Sequence, residues 1–138
     1  NCELSNLDLI ALKKKKIHKI DIIYNLDVST GPGTHWVAIY IDNVNNEINY
    51  YDSTASQPPR LIHQFITKIF NKYKEHNYNP TVIYNDKKHQ YGGSECGMYS
   101  INFLLERIYG NTMYNISKRN ITDRAMNNLR RKLFNPDY

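Results

Sequence analysis

One cysteine stands apart in this chain. Cys96 lies in "HQYGGSECGMY" (residues 89–99), after two glycines and an acidic residue and before an apolar run. A thiol attacks as its anion. The first turn of a helix, where unpaired N–H groups carry partial positive charge, suits that anion. Such a nucleophile needs a base, and the base needs a group that orients it. His35 opens the stretch "HWVAIYID" and Asp52 stands near the end of "EINYYDS". If these stretches pair as an antiparallel hairpin, both residues come to its open end. An imidazole held at one nitrogen by a carboxylate then has the other nitrogen for the thiol. Attack on a carbonyl also builds an anionic oxygen that needs hydrogen-bond donors. Gln90, on the loop leading to Cys96, offers a side-chain amide to stand beside the backbone N–H of Cys96. Gly92, Gly93 and Gly97 leave room for chain and substrate to approach the backbone. The chemistry implied is acyl transfer through a thioester and hydrolysis, with no metal and no cofactor.

Taken singly, each residue has a plainer reading. A cysteine at the start of a buried helix is more often a small core residue. His35 reads as a satisfied histidine at a sheet edge, Trp36 as core, and Asp52 before Ser53 and Thr54 as a turn residue. The ordered set carries the argument: His-Trp on one strand, Asp-Ser at the end of the next, then Gln, then Cys-Gly at a helix start. Zinc is excluded by spacing, since Cys2 and Cys96 are far apart and His18, His35, His63, His76 and His89 form no ligand pattern. A phosphate loop is excluded because "YGGSECG" has no Lys-Ser/Thr step.

The elements that must position these groups are legible from periodicity. Residues 5–14 predict a short helix capped by Ser5, and 18–25 a strand rich in Ile. "STGPGT" (29–34) marks a turn, and 35–42 and 47–53 predict a hairpin joined by 43–46. Residues 60–75 place Leu61, Ile62, Phe65, Ile66, Ile69, Phe70 and Tyr73 at helical spacing. A short strand is predicted over 80–85 and a buried helix over 96–109, stopped by Gly110. A last basic amphipathic helix covers 121–133 with Thr122 as a cap. The sum is an α+β domain on a small, mostly antiparallel sheet.

The 138 residues fit one domain, and 41% hydrophobic and 12% aromatic content fits a folded core. No apolar run reaches the roughly 20 residues that cross a bilayer, so no membrane partner is expected. The start at Asn1 suggests a domain excised from a longer chain. Two cysteines suit an intracellular protein with free thiols. The net charge of +5 admits a nucleic-acid partner if Lys13–Lys16 cluster with Arg119, Arg124, Arg130, Arg131 and Lys132. Abundant Asn, Lys, Ile and Tyr hint at an AT-rich genome.

The ordered set resembles the clan of cysteine proteases that includes the SUMO proteases and the adenovirus-type maturation proteases. Their pattern is G-x-H-W, then D-S after a second strand, then Q-x-x-x-x-[DE]-C-G. The matching text is "GTHWVAIYI", "YYDS" and "QYGGSECGMYSINFLLE", and the resemblance covers about residues 17–109. It implies a papain-like fold with His before Cys in the chain. It implies His35 as base, Asp52 as its partner, Cys96 as nucleophile and Gln90 in the oxyanion hole. Trp36 would line a narrow channel admitting Gly-Gly before the scissile bond, with Gly93, Ser94 and Glu95 beside the substrate. The family most often has Asp where this chain has Glu95, and its domains are usually longer. Together with the AT-rich composition, those departures point to a protease of a large DNA virus that matures structural polyproteins, and a monomer is expected. It would work in host cytoplasm or nucleus, or packaged in the virion. The alternative is an isopeptidase that removes a ubiquitin-like modifier. An inactive protease-like or nucleic-acid-binding module is a third reading.

Overall fold

Strand alternation decides which side of the sheet each side chain faces. The computed structural model describes residues 3–27 and 35–135. Four strands pair in chain order: β1 (Lys19–Asn25), β2 (Trp36–Asp42), β3 (Glu47–Tyr51) and β4 (Thr81–Tyr84). β1 and β3 flank β2 antiparallel, with Ile39 opposite both Ile22 and Tyr50. β4 joins β3 in parallel, so the sheet is mixed and mostly antiparallel, as expected. The tight connection after β2 forms because the Asp42 carboxylate accepts the N–H groups of Val44 and Asn45 at 2.9 and 3.0 Å. Asn46 completes it in the left-handed region, at φ 58°.

β2 is buried on both faces, so it reads as a nearly continuous apolar run. Val37, Ile39 and Ile41 gather with Ile22, Ile48 and Tyr50 under the first helical layer. That layer holds α1 (Leu9–Lys14) and α2 (Arg60–Glu75), which contributes Ile62, Ile66, Ile69 and Tyr73. Spacing of three and four residues puts these side chains on one stripe of α2. Ala38, Tyr40 and Tyr51 face the opposite layer. There α3 (Cys96–Ile108), α4 (Met113–Lys118) and α5 (Asp123–Phe134) supply Met98, Tyr99, Phe103, Leu104, Met113, Ile116 and Met126.

The helix predicted over 5–14 begins later, at Leu9. Asp8, not Ser5, is its cap, taking the N–H groups of Ile10 and Ala11 at 3.1 Å each. Ser5 sits in a separate turn of 3-10 helix, Glu3–Asn6. The sequence reading missed α4, whose six residues are too few to register a period; its marker was Thr112, which caps Asn115 N–H at 3.1 Å. Thr122 caps α5 as expected. α3 stops before Gly110, which turns the chain at φ +97°. The predicted "STGPGT" turn lies outside the described residues. No described helix is long and apolar enough to cross a membrane.

Candidate active site

His35 directly precedes β2 and Asp52 directly follows β3, so the hairpin carries both to one end. The His35 Nε2 lies 2.9 Å from Asp52 Oδ1. A carboxylate only accepts, so this contact fixes the proton of a neutral imidazole on Nε2 and leaves Nδ1 as a base. The Asp52 side chain is 1% exposed and that of His35 25%. Asp52 Oδ1 also takes the N–H and hydroxyl of Thr54, at 2.8 and 2.7 Å. The Asp52 backbone is held in turn by Asn85, which accepts Asp52 N–H at 2.9 Å and donates to its carbonyl at 2.6 Å. The turn reading of Asp52 is correct: its carbonyl accepts Ala55 N–H at 2.8 Å.

Cys96 is the first residue of α3 and is 6% exposed. Its N–H has no partner four residues back within the helix. Ser100 ties this turn to β2, its hydroxyl lying 3.0 Å from the Cys96 carbonyl and 3.3 Å from that of Trp36. Trp36 is 37% exposed, so it is not the core residue of the plainer reading. The Trp36 indole stands over Gly97: a Cβ there would sit 3.9 Å from Cδ1.

Gln90 is 4% exposed and held at both ends. Its backbone N–H, like that of His89, donates to the Ser53 carbonyl at 2.9 Å. Its side-chain oxygen accepts the Ser53 hydroxyl at 2.6 Å, and its Nε2 donates to the Gly92 carbonyl at 2.7 Å.

The sequence matches a known family along almost the whole chain. Residues 7–138 fit the model of the Ulp1 protease family, C-terminal catalytic domain. The chain belongs to the Ulp1 protease family. It is a cysteine-protease domain of α+β, papain-like fold. A protein of Acanthamoeba polyphaga mimivirus, named as a thiol protease, is 34% identical over 134 residues, covering 96% of this chain and 44% of its own. The cysteine protease of African swine fever virus is 30% identical over 124 residues, which cover 88% of this chain and 45% of that protein. A crystal structure of that viral protease superposes with a TM-score of 0.75 at 27% identity, over 85% of this chain and 44% of that one. The yeast Ulp1 protease domain, solved in complex with the SUMO ortholog Smt3, shares the fold. Its TM-score is 0.55 at 24% identity, over 78% of this chain and 52% of that one. The chain thus spans less than half the length of these viral relatives.

Within this Ulp1-family domain, several supporting residues escaped the sequence reading. α5 braces the loop before Cys96. Asp123 accepts the N–H groups of Tyr91 and Gly92 at 3.2 and 2.7 Å and the Tyr99 hydroxyl at 2.8 Å. Burial acts to raise the Asp123 pKa, but these donors outweigh it and hold it below the usual carboxylate range. A Cβ on Gly92 would lie 3.3 Å from the Asp123 carboxylate, a tight contact that this brace would have to absorb. Gly93 faces open space, so no close approach within the fold requires it. Glu95 pairs with Arg130 at 3.0 Å, and Arg130 also donates to the Ser94 carbonyl. The carboxylate of Glu95 is therefore engaged with α5. The sequence marker for this brace was the basic face of α5, read there as a nucleic-acid candidate. Of the cations named as nucleic-acid candidates, three have partners within the fold: Arg130 of α5, Arg119 on Glu106, and Lys13 on the Asn43 carbonyl.

Among the histidines, His89 is the buried one. Its Nε2 lies 3.0 Å from the Arg119 carbonyl, so Nε2 carries the proton and Nδ1 accepts the Tyr51 hydroxyl at 2.8 Å. Burial lowers the His89 pKa and keeps it neutral.

Proposed function

We propose that this chain is the catalytic domain of an endopeptidase that cleaves after Gly-Gly-type sites and matures viral structural polyproteins. The observation that carries the reading is the 2.9 Å contact between His35 Nε2 and Asp52, which keeps the proton of a neutral imidazole on Nε2 and supports Nδ1 as the base. In the proposed reaction Cys96 Sγ gives its proton to His35 Nδ1 and attacks the substrate carbonyl carbon. The oxyanion is met by the N–H of Cys96 and by Gln90 Nε2. His35 then protonates the leaving amine, and the peptide remains as a thioester on Cys96. Water, deprotonated by His35, releases the acid and restores the thiol. Trp36 beside Gly97 supports the choice of glycine, because a wall over the nucleophile leaves little room for a side chain next to the scissile bond. Gly93, Ser94 and Glu95 form the loop on the approach to Cys96. The viral relatives support the setting.

The same chemistry serves an isopeptidase for a ubiquitin-like modifier. Three electrophilic probes separate the two: a short peptide ending in Gly-Gly, ubiquitin, and SUMO, each carrying the same thiol-reactive group. Intact mass and peptide mapping read which cysteine is labelled and how fast. Fast labelling of Cys96 by the short peptide, unimproved by the folded proteins, is expected. Much faster labelling by ubiquitin or SUMO would replace the maturation reading with a deconjugase. Absence of labelling at Cys96 by every probe would overturn both.

A further inference from the structure

Gln90 serves as an oxyanion donor only if its nitrogen, and not its oxygen, faces the substrate. The residue alone does not decide this, because the two ends of a carboxamide have nearly the same shape. Its surroundings do. The Gly92 carbonyl, 2.7 Å away, only accepts, so the atom facing it is Nε2. The other end lies 2.6 Å from Ser53 Oγ, which donates to Oε1. One Nε2 hydrogen goes to Gly92, and an amide nitrogen carries two. The second is the one the oxyanion would use.

Ser53 is 1% exposed and follows the last residue pairs of β3, so its groups do not serve the ladder. Its carbonyl takes the backbone N–H groups of His89 and Gln90, and its hydroxyl takes the side-chain oxygen of Gln90. The preceding residue, Asp52, holds the imidazole of His35. Two consecutive residues thus reach the base and the oxyanion donor, one each. We propose that Ser53 is a positioning residue that fixes the Gln90 side-chain amide with its nitrogen toward the reacting carbonyl. This rests on reading Gln90 as the oxyanion donor. Removing the hydroxyl leaves a buried Oε1 without its donor and frees the amide to turn.

The test uses a Gly-Gly peptide aminocoumarin and, separately, alkylation of Cys96 by iodoacetamide followed at the Cys96 peptide. Alkylation displaces iodide from carbon and builds no oxyanion, so it ignores Gln90. Ser53→Ala should lower kcat about tenfold to thirtyfold, less than the roughly 10²- to 10³-fold for deleting an oxyanion donor. KM and the alkylation rate should stay within about twofold. Ser53→Thr keeps the hydroxyl and should restore most of kcat. In a Gln90→Ala background, Ser53→Ala should cost less than about twofold, because coupled residues are not additive. An unchanged kcat in Ser53→Ala, an equal loss in the Gln90→Ala background, or a parallel loss of alkylation would each overturn the proposal. If Gln90→Ala itself costs nothing, or the parent protein does not turn over, the site reading has failed and not Ser53 alone.

Discussion

On one side of the sheet, Ile62, Ile66 and Ile69 of α2 gather with Ile39, Ile41 and Ile48 of the strands. On the other, α3 packs Met98, Tyr99 and Phe103 against Ala38, Tyr40 and Tyr51, and buried polar groups crowd around it. Asp52, Ser53, Asn85, His89, Gln90 and Ser100 all lie in or beside that second layer, each with a hydrogen-bond partner. The aliphatic layer stabilises by area, at about 1.5–3 kcal/mol for each large side chain removed from water. The polar layer adds little net stability per bond, and a lost partner there costs more than the bond contributes. On the proposed reading, what it provides is orientation: the Asp52–Ser53 step and the α5 brace set the direction of His35, Gln90 and the loop before Cys96. The two layers should therefore respond differently to substitution, one in stability and the other in rate.

The largest effect should come at Cys96, the proposed nucleophile. Cys96→Ala is expected to lower peptide turnover by at least about 10⁴-fold, as loss of a nucleophile does. Its thermal midpoint should stay near that of the parent in calorimetry. A comparable loss of stability would mean that the polar layer is as much a core as the aliphatic one.

Ile66→Ala tests the other side. Ile66 is buried at the centre of α2, and truncating it should cost about 2–5 kcal/mol in chemical denaturation. Turnover per folded molecule should hardly change. A fall in kcat matching that of an active-site variant would show that the two layers are not separable.

Gln90→Ala should cost about 10²- to 10³-fold in kcat. Equal rates in parent and variant would remove Gln90 from the site.

The smallest effect is a pH dependence. The folded His89 has a lowered pKa, below the ordinary value of 6.5, so the unfolded chain binds a proton that the folded one resists. Stability from this group is complete above about pH 6.5 and declines as pH falls through the lower folded value. Protonation would also turn the Tyr51 hydroxyl from donor to acceptor toward Nδ1. His89→Gln should flatten that part of the stability profile measured between about pH 7 and 5. An unchanged slope would assign the acid sensitivity elsewhere.

Much of this was legible in the sequence, for physical reasons. Period-2 and period-3.6 patterns are strong where one face is buried, so β2, α2 and α3 were located within about a residue. The order His35, Asp52, Gln90, Cys96 was legible because chemistry restricts residue type. What stayed hidden depends on contacts distant in the chain. Ser53 stood in "YYDS" next to Asp52, but its reach to Gln90 crosses 37 residues. Arg130 was read only as one cation of a nucleic-acid face and Asp123 carried no marker, because their contacts with the loop before Cys96 cross 31 and 35 residues. Asn85 and His89 carried no marker, since a buried Asn or His resembles any loop residue in a sequence.

The central claim is that Cys96 carries an acyl group during turnover. The direct measurement is an acid quench during steady-state hydrolysis of a Gly-Gly peptide nitrophenyl ester, with mass spectrometry of the cysteine peptides. The account predicts a hydroxylamine-sensitive acyl adduct on the Cys96 peptide, reduced in the His35→Ala variant. Turnover with no adduct on Cys96, or with the adduct on Cys2, would contradict it.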